Sequence, residues 1–187
     1  PTQGAGVYRY NLLEEKLQQH FYANTLEPNK MNGNNIRSLY IDDEQRIWMS
    51  VHARGITIYD PNSPDYKWYK NHLGNTSSLD DDLVNAVLED SDGDIWFATN
   101  NGVSIYNPSQ DTWKHLFSWD NTTIETMRNS IFLSLCEIEP GTIVTGGFMT
   151  GVYSIDKKSM NINLMTPQSY KLTNNPNITN KYIRVIY

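Results

Sequence analysis

The sequence predicts an all-β protein built of four-stranded β-propeller blades, and three observations carry the prediction. A tryptophan-bearing phrase recurs: Ile47-Trp48-Met49-Ser50 returns as Ile95-Trp96-Phe97-Ala98, with the two tryptophans 48 residues apart. The flanking text recurs with it, Ile36 to Asp42 over Val84 to Asp90 upstream and Gly55 to Pro61 over Gly102 to Pro108 downstream. Each copy also divides into four short apolar or alternating runs separated by turn-forming residues. A period of this length with four strands per unit is the pattern of a propeller blade, a supersecondary unit that stacks on copies of itself. A β-sandwich, the competing all-β architecture, does not repeat a whole four-strand sentence with its punctuation.

The first strand of each copy, strand a, is Ile36 to Ile41 or Val84 to Leu88. Apolar residues fall on both sides of its alternation, which predicts burial on both faces. Asp42-Asp43-Glu44-Gln45 and Asp90-Ser91-Asp92-Gly93-Asp94 follow as tight, solvated hairpin turns. Strand b is Ile47 to Val51 or Ile95 to Thr99, and a turn ending in Gly55 or Gly102 leads to strand c, Ile56 to Tyr59 or Val103 to Tyr106. Asp60-Pro61 and Asn107-Pro108 end strand c, because proline has no ladder donor. Strand d is aromatic and alternating, Tyr66 to Lys70 or Thr112 to Phe117, and polar loops (Gly74 to Asp82; Ser118 to Asn129) return to the next strand a.

A third, more worn copy sets Ile131 to Leu135 over Val84 to Leu88, Gly141-Thr142-Ile143-Val144 over Gly93 to Trp96, and Gly151 to Ile155 over Gly102 to Tyr106. Ile183-Arg184-Val185-Ile186-Tyr187 repeats Ile36 to Tyr40 and opens a fourth copy, while Gly6 to Tyr10 is the tail of an earlier one. The expected division is a partial blade over 1–33, blades over 34–79, 80–129 and 130–179, and a first strand over 180–187. About three full blades with partial blades at both ends read as a piece of a larger propeller, since uncovered blade edges invite aggregation. Closure by dimerisation is the alternative. Helical periodicity is weak; the best helix candidate, Leu12 to His20, falls where a strand d belongs and is read as turn plus strand.

Composition narrows the function. The 12 Tyr and 5 Trp of the 187 residues suit packing between blades and the floor of a sugar site. A net charge of −6 argues against a nucleic-acid footprint, which is basic and clustered, and against acidic membranes. No run is long and apolar enough to span a bilayer as a helix. The single cysteine, Cys136, sits in an apolar strand and reads as a small buried hydrophobe. Neither a cofactor nor a metal is expected. The four histidines are scattered without metal-ligand spacing, and neither a Gly-x-Ser-x-Gly elbow nor a phosphate-cradling loop is present. The Asp90 to Asp94 turn starts like a calcium loop, but Ile95 stands where that loop needs Gly and Asn101 where it needs Glu. Asp80-Asp81-Asp82 reads as solvated surface. Asn75-Thr76-Ser77, Asn121-Thr122-Thr123 and Asn177-Ile178-Thr179 match the glycosylation triplet, which chance supplies in an Asn-rich chain.

Trp48 and Trp96, with Gly55, Gly102 and Gly151, recur identically and are assigned to the structural core of the repeat. Recognition belongs where copies differ at one fixed place. The b–c turn is such a place: His52 and Arg54, then Asn100 and Asn101, then Phe148 and Met149 are the ligand-binding candidates. Arg54 can grip a carboxylate or sulfate in a forked geometry, and Phe148 can stack on a sugar face.

The sentence carried by Val84, Leu88, Asp90, Gly93, Ile95, Trp96, Thr99, Gly102, Val103 and Tyr106, and more loosely by Ile36, Ser38, Leu39, Asp42, Ile47 and Trp48, resembles the two-component regulator propeller repeat. The resemblance implies the periplasmic sensor region of a hybrid two-component histidine kinase of the Bacteroidetes kind. It implies no catalysis in this segment, an oligosaccharide ligand, further blades and a β-sandwich in the parent chain, a homodimer, and contact with the membrane only through that parent. Related propellers include lyases, so a polysaccharide-active lyase or hydrolase and a structural protein-interaction propeller stand as the alternatives.

Overall fold

The computed structural model describes residues 2–24, 26–27, 30–63, 65–116 and 130–165. They form fourteen strands in chain order: β1 Val7–Asn11, β2 Lys16–Phe21, β3 Ile36–Ile41, β4 Ile47–Val51, β5 Ile56–Tyr59, β6 Lys67–Tyr69, β7 Val84–Glu89, β8 Ile95–Thr99, β9 Gly102–Asn107, β10 Thr112–His115, β11 Phe132–Glu139, β12 Thr142–Gly147, β13 Gly151–Asp156 and β14 Asn161–Leu164. β1 and β2 make a hairpin; β3 to β6, β7 to β10 and β11 to β14 make three antiparallel four-stranded meanders with strands in sequential order. The Leu12 to His20 segment is a turn followed by β2. The proposed strand at Ile183 to Tyr187, the whole loop from Ser118 to Asn129, and the triplets at Asn121 and Asn177 lie outside the described residues.

The three sheets share one irregularity. A bulge interrupts strand a between Ile36 and Ser38, between Val84 and Ala86, and between Phe132 and Ser134, at steps of 48 residues. The pairing corrects the expected alignment of the third copy. Leu88 faces Trp96 and Cys136 faces Val144, so Phe132, and not Ile131, is the counterpart of Val84. Phe132 fills the fully buried slot that Val84 fills in the preceding blade. Because side chains alternate between faces, Ile131 in that slot would turn the whole strand inside out.

Burial also departs from expectation. Strand b, not strand a, is sealed on both faces, with all five residues of β4 and of β8 buried, whereas β3 and β7 are mostly half-buried. Strand b has a ladder partner on each edge and another blade over each face; strand a is an edge strand. The strands a of successive blades pack against one another, β3 on β7 and β7 on β11.

The core lies between blades, in three layers. Val7 and Phe21 meet Ile36, Ile47 and Met49; Trp48, Ile56 and Ile58 meet Ile95, Phe97 and Tyr106; Trp96, Val103 and Ile105 meet Phe132, Ile143, Tyr153 and Ile155. The alternation of strand b explains the arrangement: Ile47 and Met49 face the preceding blade, and Trp48 faces the following one. Trp48 and Trp96 are 1% and 0% exposed.

The acidic turns are solvated at Asp43, Glu44, Ser91 and Asp92, but the carboxylate that opens each turn is not. Asp42 and Asp90 are 2% and 4% exposed, and each accepts the indole N–H of its own blade's tryptophan, at 2.7 Å for Trp48 and 2.8 Å for Trp96. The carboxylate that seemed a loop ornament latches the a–b turn onto the inter-blade tryptophan. Its charge is balanced differently in the two blades. Arg46 of the same turn lies 2.6 Å from Asp42, whereas Lys157 of the following blade reaches Asp90, Asp92 and Asp94 at 2.7–2.9 Å. In the third blade Val144 replaces the tryptophan, and no indole N–H needs an acceptor there. Cys136 is half-buried and is a free thiol, so it is less enclosed than its apolar neighbours implied.

Candidate functional site

The b–c turns and the segments just before each strand a share one end of the blades. His52 N donates to Asn35 O at 2.8 Å, Asn100 N to Leu83 O at 3.0 Å and Phe148 N to Ile131 O at 2.7 Å. The first two turns also reach toward the following blade: Gly55 N donates to Asp82 O at 2.9 Å and Gly102 N to Ser130 O at 3.0 Å. The first of these turns is tight and held in register. Arg54 N donates to Val51 O at 3.0 Å, and Ala53 and Gly55 both take left-handed backbone, at φ +54° and +75°. Gly55 has a second constraint, since a Cβ there would run into the Tyr69 carbonyl oxygen.

Beside this turn lies a half-open cavity of about 480 Å³. Its walls are Val51, His52 and Arg54 on one side and the segment Met31 to Asn35 with Ala23 and Asn24 on the other. Pockets of this size accommodate small-molecule ligands. The opposite wall is held rigid by its own asparagines. Asn34 exchanges two hydrogen bonds with the backbone of Ala23, at 2.5 and 3.4 Å. Asn32 donates to Arg54 O at 3.0 Å and accepts from Thr57 Oγ1 at 2.8 Å. Gly33 lets the side chain of Arg54 lie across the wall, because a Cβ at 33 would fall 3.0 Å from Arg54 Cδ and 2.7 Å from Val51 Cγ1.

Two groups at the cavity lack partners. His52 Nδ1 is buried without a hydrogen bond among the described residues. Arg54 is exposed, and its guanidinium makes no ion pair among the described residues. Of the six candidates read from the b–c turns, the cavity brings together these two. Asn100 holds Asn85 Nδ2 through its side-chain oxygen at 2.9 Å, and the Asn101 backbone N–H donates to Thr99 Oγ1 at 3.1 Å. Phe148 and Met149 project from the third blade, 40% and 61% exposed. These four occupy the same end of the blades but do not line the cavity. The asparagine wall was not singled out from sequence, although the cluster Asn32-Gly33-Asn34-Asn35 directly before a strand a was its visible signal.

A second polar cluster supports this end of the molecule. Asp80, expected at the solvated surface, is buried against His115, with 2.7 Å between Asp80 Oδ1 and His115 Nδ1. Ser104 Oγ donates to Asp80 Oδ2 at 2.9 Å, and His115 Nε2 lies 2.9 Å from Thr76 O. Burial disfavours the charged ring, but the bonded and charged Asp80 carboxylate outweighs it and raises the His115 pKa above its ordinary value. Asp82 accepts from Asn71 N at 2.7 Å and Asp81 from Leu83 N at 2.6 Å, so the whole acidic run fastens the loop whose Asp82 carbonyl receives Gly55.

Residues 78–101 match the family model of the two component regulator propeller. The second blade carries a two-component regulator propeller repeat. The matched span runs from the buried Asp80 through the Asp90–Trp96 latch to the b–c turn at Asn100 and Asn101. Among curated proteins none matches the chain significantly by sequence. Among solved structures, the chain resembles the extracellular domain of a hybrid two component system of B. thetaiotaomicron, with a TM-score of 0.72 and 13% identity over 88% of this chain and 22% of that one. It also resembles virginiamycin B lyase from Staphylococcus aureus, with a TM-score of 0.51 and 17% identity over 68% and 40% of the two chains. A third likeness is YCF48 bound to a D1 peptide, with a TM-score of 0.52 and 13% identity over 71% and 40%. At these identities the likenesses establish the propeller fold. The chain spans about a fifth of the length of the first of them. The regulator-propeller match is confined to the second blade, and the structural likenesses carry the propeller fold of the rest.

Proposed function

We propose that the chain is an extracytoplasmic, ligand-sensing propeller segment of a two-component sensor histidine kinase. It binds an oligosaccharide and passes the signal through the parent chain, performing no chemistry itself. The regulator-propeller match supports the sensor role, and the cavity beside His52 and Arg54 is the observation that carries the binding role. That cavity sits where the repeat's copies differ, on a turn fastened to two neighbouring strands, which is how adaptable side chains are presented on a stiff scaffold. Its wall offers hydrogen-bonding side chains and, among the described residues, no pair of carboxylates of the kind glycoside hydrolysis uses, which supports binding over hydrolysis. The parent chain contributes further blades, a β-sandwich and the membrane anchor. The segment faces the periplasm and works as a homodimer in which ligand biases how two propeller-bearing subunits dock.

Calorimetry of the purified protein against a panel of neutral and charged oligosaccharides, followed by chromatography of the recovered glycan, tests this reading. Saturable binding with intact glycan supports it. Shortened products identify a polysaccharide-active enzyme instead, and failure of every glycan to bind overturns the sensing role.

A further inference from the structure

The chemistry of the cavity wall points to more than a saccharide. We infer that the ligand is anionic and that a carboxylate or sulfate on it docks against Arg54. The inference rests on the saccharide-sensing reading above and names the class of sugar. The chain carries 21 acidic residues and a net charge of −6, yet among the described residues no Asp or Glu lines this cavity, whose charged member is Arg54. A cation left unpaired in an acidic protein, beside a cavity cleared of carboxylates, is complementary to an anion.

The hydrogen-bonding inventory points the same way. The side-chain oxygens of Asn32 and Asn34 are taken by Thr57 and Ala23, and that of Asn24 accepts from Leu26 N at 3.0 Å. The amide donors of Asn32 and Asn34 are spent as well, on Arg54 O and Ala23 O, and the Asn35 amide offers an acceptor and donors alike. The five N–H bonds of the guanidinium therefore tip the wall toward donors, and donors select acceptors. Arg54 is also pre-positioned: its stem rests against Gly33 and its carbonyl is held by Asn32. A guanidinium with its stem fixed loses less entropy when it grips a carboxylate or sulfate in a forked pair.

A neutral sugar would find less here. Neutral rings draw much of their affinity from stacking an apolar face on an aromatic side chain, and among the described residues His52 is the lone ring in the lining. The aromatic candidate, Phe148, belongs to another turn. Charge therefore has to supply the specificity that stacking does not.

The test uses matched pairs of oligosaccharides in which only the charge differs: uronate oligomers with their methyl esters, and sulfated galactans with their desulfated forms, with inorganic sulfate as the arm without a sugar. Calorimetry on the purified chain should show the charged member of at least one pair binding tenfold or more tightly, with affinity falling as salt rises. Arg54→Ala should weaken that member about tenfold or more, Arg54→Lys should retain part of the affinity, and the exposed control Arg9→Ala should change nothing. Equal binding of charged and uncharged members, or no effect of Arg54→Ala, overturns the anionic class and leaves saccharide sensing standing. Sulfate alone binding as tightly as any sugar shows a simple anion site and overturns the saccharide part. No binding by any compound overturns both.

Discussion

Removing the Asp90 carboxylate should cost far more than a surface turn residue would. In Asp90→Ala the Trp96 indole N–H, bonded to Asp90 at 2.8 Å, is left buried without its acceptor. An orphaned buried donor costs about 1–3 kcal/mol. The Asp92 and Asp94 amides also lose their acceptor, both at 3.0 Å, which adds roughly 1 kcal/mol each. Lys157 keeps Asp92 and Asp94, so its share is small. The expected loss is about 3–5 kcal/mol, a large part of the stability of an ordinary domain. Urea unfolding followed by circular dichroism and tryptophan fluorescence measures it. Asp90→Asn, which keeps an acceptor oxygen, should lose about half as much. In a Trp96→Phe background the Asp90→Ala cost should shrink by about 1–2 kcal/mol, because the donor it orphans is already gone. A cost below about 1 kcal/mol, or the same cost in both backgrounds, refutes the latch.

Three further outcomes follow from the geometry. Burial pushes the Asp90 pKa up, but hydrogen bonds from Lys157, Trp96 and the Asp94 amide outweigh it and hold the group below its ordinary value. Its stabilising contribution is therefore present above about pH 3.9 and lost as pH falls through the lower folded value, so Asp90→Asn should flatten the acid limb of a stability–pH curve. His115 has the opposite sign: with a raised pKa, its contribution is complete below about pH 6.5 and lost as pH climbs through the folded value. Asp80→Asn should remove that alkaline slope, and a curve unchanged by it contradicts the ion pair. Gly55→Ala should destabilise by about 2–4 kcal/mol because it adds a clash with the Tyr69 carbonyl to a positive-φ penalty. Gly102→Ala, whose Cβ would meet Asp80 Oδ2 at an ordinary 3.9 Å, carries only the backbone strain of φ +104°, about 1–3 kcal/mol. It should therefore cost less than Gly55→Ala, and an equal or larger loss would contradict the close-approach argument.

The blade was legible because its signals are local and repeated. Alternation, Gly at the b–c turn and Pro after strand c each act within a few residues, so β4, β5 and β8 have the bounds the sequence implied. What escaped was set by contacts across blades. Asp42 and Asp90 look solvated until the tryptophan six residues on bonds back to each. Asp80 looks solvated until His115, 35 positions away, closes on it. The one-residue slip at Ile131 had the same origin, since both Ile131 and Phe132 are apolar and only inter-blade packing chooses between them. The site was half legible. Variation at one turn position singled out His52 and Arg54, but the asparagine wall facing them is an array of side-chain hydrogen bonds, to backbone and to Thr57, at separations of 11 to 25 residues, invisible to any periodicity.

Hydrogen–deuterium exchange with and without the tightest-binding oligosaccharide is the most direct trial of the cavity as the sensing site. Ligand should slow exchange at the backbone amides of 31–35 and 52–55 and leave the a–b turns at 42–46 and 90–94, at the opposite end of the blades, unchanged. Protection confined to those a–b turns, or binding without protection at either wall of the cavity, would place the ligand elsewhere and contradict the assignment.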